Sequence, residues 1–210
     1  FRNEGMDNDG VPILFNDAPE LGADVRVSAM GLGINDLNSD GFLDYCMSDV
    51  ATQLTCLLST GDGAYYEAGA ALGLIPEQTT HPELPEDWSD YEHSFGDTVW
   101  VSWGLSMTDF DNDGNLDMAA AAGPPPDQGS VHHSNIHDWQ PDWIWKGTDD
   151  GVFEDAILET GFDSLQLNYG LVTADLRGDG YREIILGPFE GSPAIWDNPC
   201  GPGAWLEIEL

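Results

Sequence analysis

The sequence predicts an all-β fold built from repeated four-stranded antiparallel sheets. Three fourteen-residue segments, which begin at Gly31, Gly104 and Gly170, align without gaps and share a Gly-Leu start, two Asp and a later Gly. Short apolar runs bounded by Gly, Asp, Asn and Pro surround each segment, which is typical of strands joined by tight turns. The 25 Gly and 13 Pro residues agree with a chain that turns often.

The strands of each repeat follow in the same order. One strand leads into the shared acidic turn, a second leaves it, a third leads into a Gly/Asp turn and a fourth leaves that turn. The predicted strands are Phe1–Asn3 and Ile13–Asn16; Val27–Ile34, Tyr45–Met47, Thr55–Leu58 and Ala64–Glu67; Val101–Met107, Met118–Ala122, Trp143–Trp145 and Val152–Ala156; and Tyr169–Ala174, Ile184–Leu186, Ala194–Trp196 and Trp205–Ile208. Four consecutive antiparallel strands per repeat predict the blades of a β-propeller, and a small, Gly-rich first strand suits the crowded innermost position.

The predicted domain organisation is a partial β-propeller of about three and a half blades. A half blade covers residues 1–24, full blades cover 25–75, 99–160 and 165–210, and loop inserts cover 76–98 and 123–141. Open sheet edges favour aggregation. We therefore expect the edges to be closed either by further chain of a larger propeller or by another subunit.

Composition and charge exclude several function classes. The 39 Asp+Glu residues against 5 Lys+Arg give a net charge of −34. This excludes nucleic acid as a partner, because binding to its phosphates needs clustered Lys and Arg side chains. No apolar run approaches the roughly 18 residues of a membrane span. Aromatic residues make up 10% of the chain and apolar residues 41%, so the acidity does not indicate disorder.

The second acidic turn carries the spacing of a calcium loop. Side-chain oxygens at alternate positions can converge on one cation, Gly114 permits the sharp turn, and an all-oxygen ligand set of this size favours Ca²⁺. The predicted ligands are Asp109, Asp111, Asp113, the Asn115 carbonyl and Asp117. The residue at position twelve is Ala120, and strands flank the turn, so this is a strand–loop–strand site and not an EF-hand.

The first turn offers a similar set with one carboxylate fewer, which predicts a second calcium site. Its predicted ligands are Asp36, Asn38, Asp40, the Phe42 carbonyl and Asp44. Because each ligand set lies within one short loop, the sites are predicted to be structural and to fasten neighbouring strands. A metal-free acidic turn is the alternative for each loop.

The third turn has an incomplete set of calcium ligands. It offers Asp175, Asp179, the Tyr181 carbonyl and Glu183, but Arg177 stands where a ligand should. The guanidinium either fills the site as an internal counter-ion or coexists with calcium.

Two cysteines are placed for a disulfide. Cys46 and Cys56 are symmetric about Ala51 in a predicted strand–turn–strand, where cross-strand neighbours come close enough to bond. Two buried thiols are the alternative. Cys200 is left over, either as a free turn thiol or as the partner of a cysteine outside this sequence.

The repeats resemble the FG-GAP/VCBS-type repeats of calcium-binding β-propellers, a family that includes the heads of integrin α-subunits. Leu58–Glu67 and Ala70–Leu74 are similar to the subset found with ASPIC/UnbV domains, and Ile195–Asn198 with Gly203–Leu210 resembles the start of such a domain. The resemblance implies secreted or surface-anchored proteins with adhesion or matrix roles, and usually seven blades. It supports calcium in the first two loops, whereas Arg177 departs from the family pattern in the third.

The two inserts predict a ligand-binding face, because long loops on a rigid scaffold commonly carry binding. Propeller topology brings both inserts to the face opposite the acidic turns. The predicted face residues are His81, Trp88, Tyr91, His93, His132, His133, His137 and Trp139. This surface binds a protein or glycan partner, or covers the propeller face or packs against a missing domain, or holds a transition metal through His133 and His137 with His132 or His81.

The sequence favours a non-catalytic binding, adhesion or structural module that is extracellular or at the cell surface, where calcium is abundant. No nucleophile elbow or phosphate loop is present. The alternative is a catalytic or accessory propeller domain of a hydrolase or lyase acting on glycans or acidic polymers. It would use a carboxylate pair such as Glu83 with Asp87 or Asp90 with Glu92.

Overall fold

A computed structural model describes residues 2–51, 53–75, 100–123, 140–162, 164 and 166–198. These residues form four antiparallel sheets and one short helix. The first sheet pairs β1 (Arg2–Met6) with β2 (Pro12–Phe15), and the second has the order β3 (Leu32–Asn35), β4 (Asp44–Met47), β6 (Thr55–Ser59), β7 (Tyr65–Glu67).

The second and third repeats form the other two sheets. The third sheet has the order β11 (Phe153–Asp155), β10 (Trp143–Gly147), β9 (Asp117–Ala122), β8 (Trp100–Thr108), β5 (Val50–Ala51), and the helix α1 (Ile157–Thr160) follows β11. The fourth sheet has the order β12 (Asn168–Ala174), β13 (Glu183–Pro188), β14 (Ala194–Trp196). The predicted all-β class is confirmed, and the predicted strand Trp205–Ile208 lies outside the described residues.

The first hairpin of each repeat has the same register. Asn35 pairs with Asp44, Thr108 with Asp117 and Ala174 with Glu183. In all three repeats the residue before the first Asp of the loop is therefore opposite the last acidic residue, so the three loops close across equivalent strand pairs. This register brings the two ends of each acidic loop together.

The first strands of neighbouring repeats approach closely at glycines. A Cβ atom on Gly31 would lie 2.2 Å from the Trp103 carbonyl oxygen, and one on Gly104 would lie 2.4 Å from the Leu171 nitrogen. No larger residue fits at these contacts without backbone movement, which explains the glycine that begins the first two repeats. The hydroxyls of Ser106 and Thr173, 2.9 Å apart, add a hydrogen bond between β8 and β12.

Three local features differ from the predicted elements. The first strand of the first repeat begins at Leu32 and not at Val27, because side chains bind the backbone ahead of it. The Ser28 N–H donates to Asp49 Oδ1 at 2.7 Å, and the Gly31 N–H donates to Ser48 Oγ at 2.6 Å. The short strand β5, which pairs with β8, and the helix α1, which ends at Gly161 in the left-handed region, were not predicted.

The main core lies around the third sheet. All six residues of β9 are buried, and Ala119–Ala122 are fully inaccessible. Trp100 and Trp143 pack edge to face beside this strand, with ring centroids 5.0 Å apart. By contrast, every residue of β1 and β2 is exposed. Among the described residues, no helix has the length and apolar character needed to cross a membrane.

Candidate metal centre

The acidic loop of the second repeat brings three carboxylates together. One oxygen from each of Asp109, Asp111 and Asp117 lies within 4.8 Å of the other two, a separation that would let all three contact a single cation. This is the one group of three metal-ligating side chains among the described residues. It contains three of the four side-chain ligands predicted from the spacing of the loop.

The backbone holds Asp109 in place inside the loop. Its Oδ1 accepts the N–H of Asp113 at 3.1 Å, and its Oδ2 accepts the N–H of Gly114 at 2.9 Å. The turn that presents these N–H groups needs left-handed backbone at Asn112 (φ 56°) and at Gly114 (φ 96°). Glycine adopts this conformation without a steric penalty, which accounts for its place at position six of the loop.

Asp117 connects the loop to β10, the next strand of the same repeat. Its Oδ2 accepts the N–H of Phe110 at 2.7 Å and its Oδ1 accepts the N–H of Gly147 at 2.9 Å. Burial, with a smaller contribution from the charges of Asp111 and Asp109, raises the pKa of Asp117 to about 6, although these two hydrogen bonds act to lower it. Each carboxylate oxygen has two acceptor positions, so these bonds leave room for a metal contact.

Lys146 is a contact that the sequence argument missed. Its ammonium group donates to Asp111 Oδ2 and lies 3.3 Å from Asp113 Oδ2. These contacts, first of all the hydrogen bond to Asp111, raise the pKa of the lysine. The sequence could have indicated this contact, because Lys146 directly follows the predicted strand Trp143–Trp145, which ends beside the loop.

Asp113 and Asn115 are the remaining predicted ligands of the second loop. Asp113 Oδ1 accepts the N–H of Asn115 at 2.8 Å, and the Asn115 side chain donates to Asp149 Oδ1 at 3.1 Å. Burial opposes ionisation of Asp113, but the hydrogen bond from Asn115 and the contact with Lys146 outweigh it and lower the pKa. Metal ligation by Asp113 and by the Asn115 carbonyl stays a prediction.

The loop of the first repeat has the same backbone contacts. Asp36 accepts the N–H groups of Asp40 at 3.0 Å and Gly41 at 2.9 Å. Asp44 is fully buried and accepts the N–H of Leu37 at 2.9 Å and of Ser59 at 2.7 Å.

The two loops differ at the position equivalent to Asp111. There the first loop has Asn38, whose side chain donates to Asp40 Oδ2 at 3.0 Å. The residues equivalent to the cluster therefore supply two carboxylates and an amide. Calcium ligation by the predicted set of this loop, which includes the Phe42 carbonyl, stays a prediction.

In the third loop a guanidinium lies among the predicted ligands. Arg177 Nε is 3.1 Å from Asp179 Oδ2 and 2.9 Å from Glu183 Oε1. Asp175 accepts backbone N–H groups as Asp36 and Asp109 do, among them that of Gly180 at 2.8 Å. The arginine thus makes the contacts of the internal counter-ion that the sequence argument described, while Tyr181 is buried at the end of the loop.

The disulfide prediction is confirmed. Cys46 and Cys56 are Cα partners on β4 and β6, and their sulfur atoms are bonded at 2.00 Å. Both residues are fully buried. The bond lies two residues from Asp44, so it secures the strand on which the first acidic loop ends.

All eight residues predicted for the ligand-binding face lie outside the described residues, as does Cys200. The insert 76–98 lies wholly outside the described residues, and of the insert 123–141 the structure describes residues 123, 140 and 141. Trp100 and Gly123 lie at the end of the β8–β9 hairpin away from Asp109–Asp117, and the Gly123 N–H donates to the Val101 carbonyl at 3.0 Å. The partner predicted for this face stays a prediction.

The donors of the second loop fit a hard divalent cation. All are carboxylate oxygens, the ligands that Ca²⁺ and Mg²⁺ prefer, and no described Cys or His joins the group. A cation there would also relieve the repulsion that Asp109 and Asp111 exert on Asp117.

No family model matches the chain, and no curated protein sequence matches it.

Proposed function

We propose that the second loop binds Ca²⁺ and that the chain is a calcium-stabilised segment of an extracellular β-propeller. The observation that carries the proposal is the convergence of Asp109, Asp111 and Asp117 on a loop that its own backbone already shapes. The ion would fasten the β8–β9 hairpin, with Asp117 extending the connection to β10. The first loop, with Asn38 in place of an acid, would bind the ion more weakly.

The role proposed for the whole chain is a non-catalytic binding, adhesion or structural module. Three equivalent hairpins with closely packed first strands support the propeller architecture, and further blades or another subunit would cover the exposed β1–β2 sheet. The Cys46–Cys56 disulfide supports an oxidising compartment, where millimolar calcium is also found. The two inserts would carry the protein or glycan partner.

The alternative of a hydrolase or lyase gains no specific support. The carboxylate pairs suggested by the sequence, Glu83 with Asp87 and Asp90 with Glu92, lie outside the described residues. Asp117 has a pKa raised to about 6, which suits a general acid, but both of its oxygens accept backbone N–H bonds. We therefore assign Asp117 to the metal loop.

The test is thermal unfolding of the full chain in calcium and in a chelator. If calcium is present at a hundred times its dissociation constant, it stabilises the folded chain by about 2.7 kcal/mol, which raises Tm by roughly 5–10 °C for a chain of this size. Asp111→Asn should remove most of this difference, whereas Asp150→Asn, an exposed acid outside the cluster, should keep it. Equal Tm values with calcium and with chelator would refute the proposal.

A further inference from the structure

A cavity of about 320 Å³ lies between the sheets of the second and third repeats. Its apolar walls come from both repeats, with Ile144 and Phe162 on one side and Ile184 and Trp196 on the other. Phe162 and Trp196 meet edge to face with centroids 5.3 Å apart. The cavity thus offers an apolar surface large enough for a small organic molecule.

The rim of this cavity concentrates the rare basic residues of the chain. The sequence has 5 Lys+Arg against 39 Asp+Glu, yet Lys146 and Arg182 both line the cavity. A third base, Arg177, is 2.6 Å from Asp197 Oδ1, and Asp197 also lines the cavity. With Arg177 counted, three bases stand against the four acids that line the cavity, Asp111, Asp117, Glu159 and Asp197, whereas the whole chain has 5 bases against 39 acids.

Most of the acidic groups at the rim are already compensated. Asp197 pairs with Arg177, Asp111 pairs with Lys146, and Asp117 accepts two backbone N–H bonds. Arg182 is exposed, and no residue in the described ranges forms an ion pair with it. A guanidinium beside an apolar cavity can bind a carboxylate or sulfonate through two parallel hydrogen bonds.

We propose that this cavity, the inter-repeat cleft, binds a small amphipathic organic anion. Its aromatic or aliphatic body would pack between Phe162 and Ile184, and its carboxylate or sulfonate would face Arg182. Glu159, on the helical side of the rim, opposes a second negative charge on the ligand. A cation bound at Asp111 and Asp117 would strengthen the site by releasing Lys146; this contribution alone rests on the proposed function.

Three probes with one ring system test the charge preference on the full chain by isothermal titration calorimetry. They are 2-naphthoate, its neutral amide and the cationic 2-naphthylmethylammonium. We expect the carboxylate to bind roughly two- to fivefold more tightly than the amide, since an ion pair with an exposed guanidinium contributes a factor of that order, and the ammonium compound to bind least. Equal affinity for the three probes, or no binding of 2-naphthoate, would overturn the proposal.

Variants then locate the site. Arg182→Gln should weaken 2-naphthoate binding roughly two- to fivefold, whereas Arg26→Gln, a matched exposed arginine outside the cavity lining, should leave it unchanged. Glu159→Gln should tighten it about two- to fivefold, and Thr160→Phe, at the exposed edge of the lining, should block it. Unchanged binding in Arg182→Gln would disprove the assignment.

The same titrations in chelator separate this inference from the calcium proposal. Binding of 2-naphthoate in chelator that depends on Arg182 supports the cleft even if calcium does not change Tm. If the parent chain and Arg182→Gln bind 2-naphthoate equally well both in calcium and in chelator, the cleft proposal is refuted even if calcium raises Tm.

Discussion

Replacing Asp44 by alanine removes the acceptor of two backbone N–H groups at once. Asp44 is inaccessible to solvent, and the residues that donate to it, Leu37 at 2.9 Å and Ser59 at 2.7 Å, are buried as well. A buried N–H left without an acceptor costs about 1–3 kcal/mol, so we expect Asp44→Ala to lower the free energy of unfolding by about 2–6 kcal/mol. That is a large share of the roughly 5–15 kcal/mol typical of folded domains.

Two variants separate this effect from charge and from metal binding. Asp44→Asn keeps one acceptor oxygen and should lose about half as much as the alanine variant. Asp40→Ala removes an exposed carboxylate of the same loop, whose lost bond to the Phe42 N–H water can replace, so it should change stability by less than about 0.5 kcal/mol. Urea unfolding at pH 7 in chelator measures all three without a contribution from calcium.

The result that would refute the reasoning is an Asp44→Ala variant no less stable than Asp40→Ala. The two hydrogen bonds that Asp44 accepts would then contribute nothing beyond what water supplies. An Asp44→Asn variant as unstable as Asp44→Ala would also contradict the reasoning, because the retained oxygen would then not stabilise the fold by accepting an N–H bond.

Three further predictions concern single charged side chains. Lys146→Gln should tighten calcium binding at the second loop by up to about fivefold, because the half-exposed ammonium competes for Asp111; unchanged affinity in calorimetry would argue against competition. Arg177→Asn should make the third loop resemble the first. Calcium should therefore raise the Tm of this variant by more than it raises the Tm of the parent chain, and equal Tm shifts would contradict the counter-ion role. Burial raises the pKa of Asp142 to about 7, above its unfolded value, so the folded chain holds a proton that the unfolded chain has released between about pH 4 and 7. Stability should therefore fall as pH rises through that window, by at most about 1.4 kcal/mol per pH unit, and urea unfolding of Asp142→Asn should show a smaller slope; identical slopes would exclude this carboxyl.

The positions of the hairpins could be predicted because each is bounded by residues with a specific backbone role. Gly41, Gly114 and Gly180 occupy the same place in the three loops, and all have positive φ. The disulfide was predictable for a related reason, since equal spacing on either side of Ala51 placed Cys46 opposite Cys56. Local patterns of this kind depend on neighbours that are close in sequence.

What could not be predicted depends on contacts between distant residues. The apolar pattern before Leu32 favoured a strand, but Asp49 and Ser48 take up the backbone donors of Ser28 and Gly31. The inter-repeat cleft likewise needs α1 and β13 to face each other, and no local pattern marks that pairing. The charge balance of the cleft depends on the ion pair between Arg177 and Asp197, which are twenty residues apart in the sequence.

The short strand β5 has a consequence for how the repeats could be exchanged. Val50 and Ala51 lie on the connection between β4 and β6, inside the first repeat, yet they extend the sheet of the second through Val101 and Trp100. A boundary drawn between the second and third sheets would cut main-chain bonds. The first two repeats therefore have to be moved together, because a graft of the second repeat alone would leave the start of β8 without its partner strand on that side.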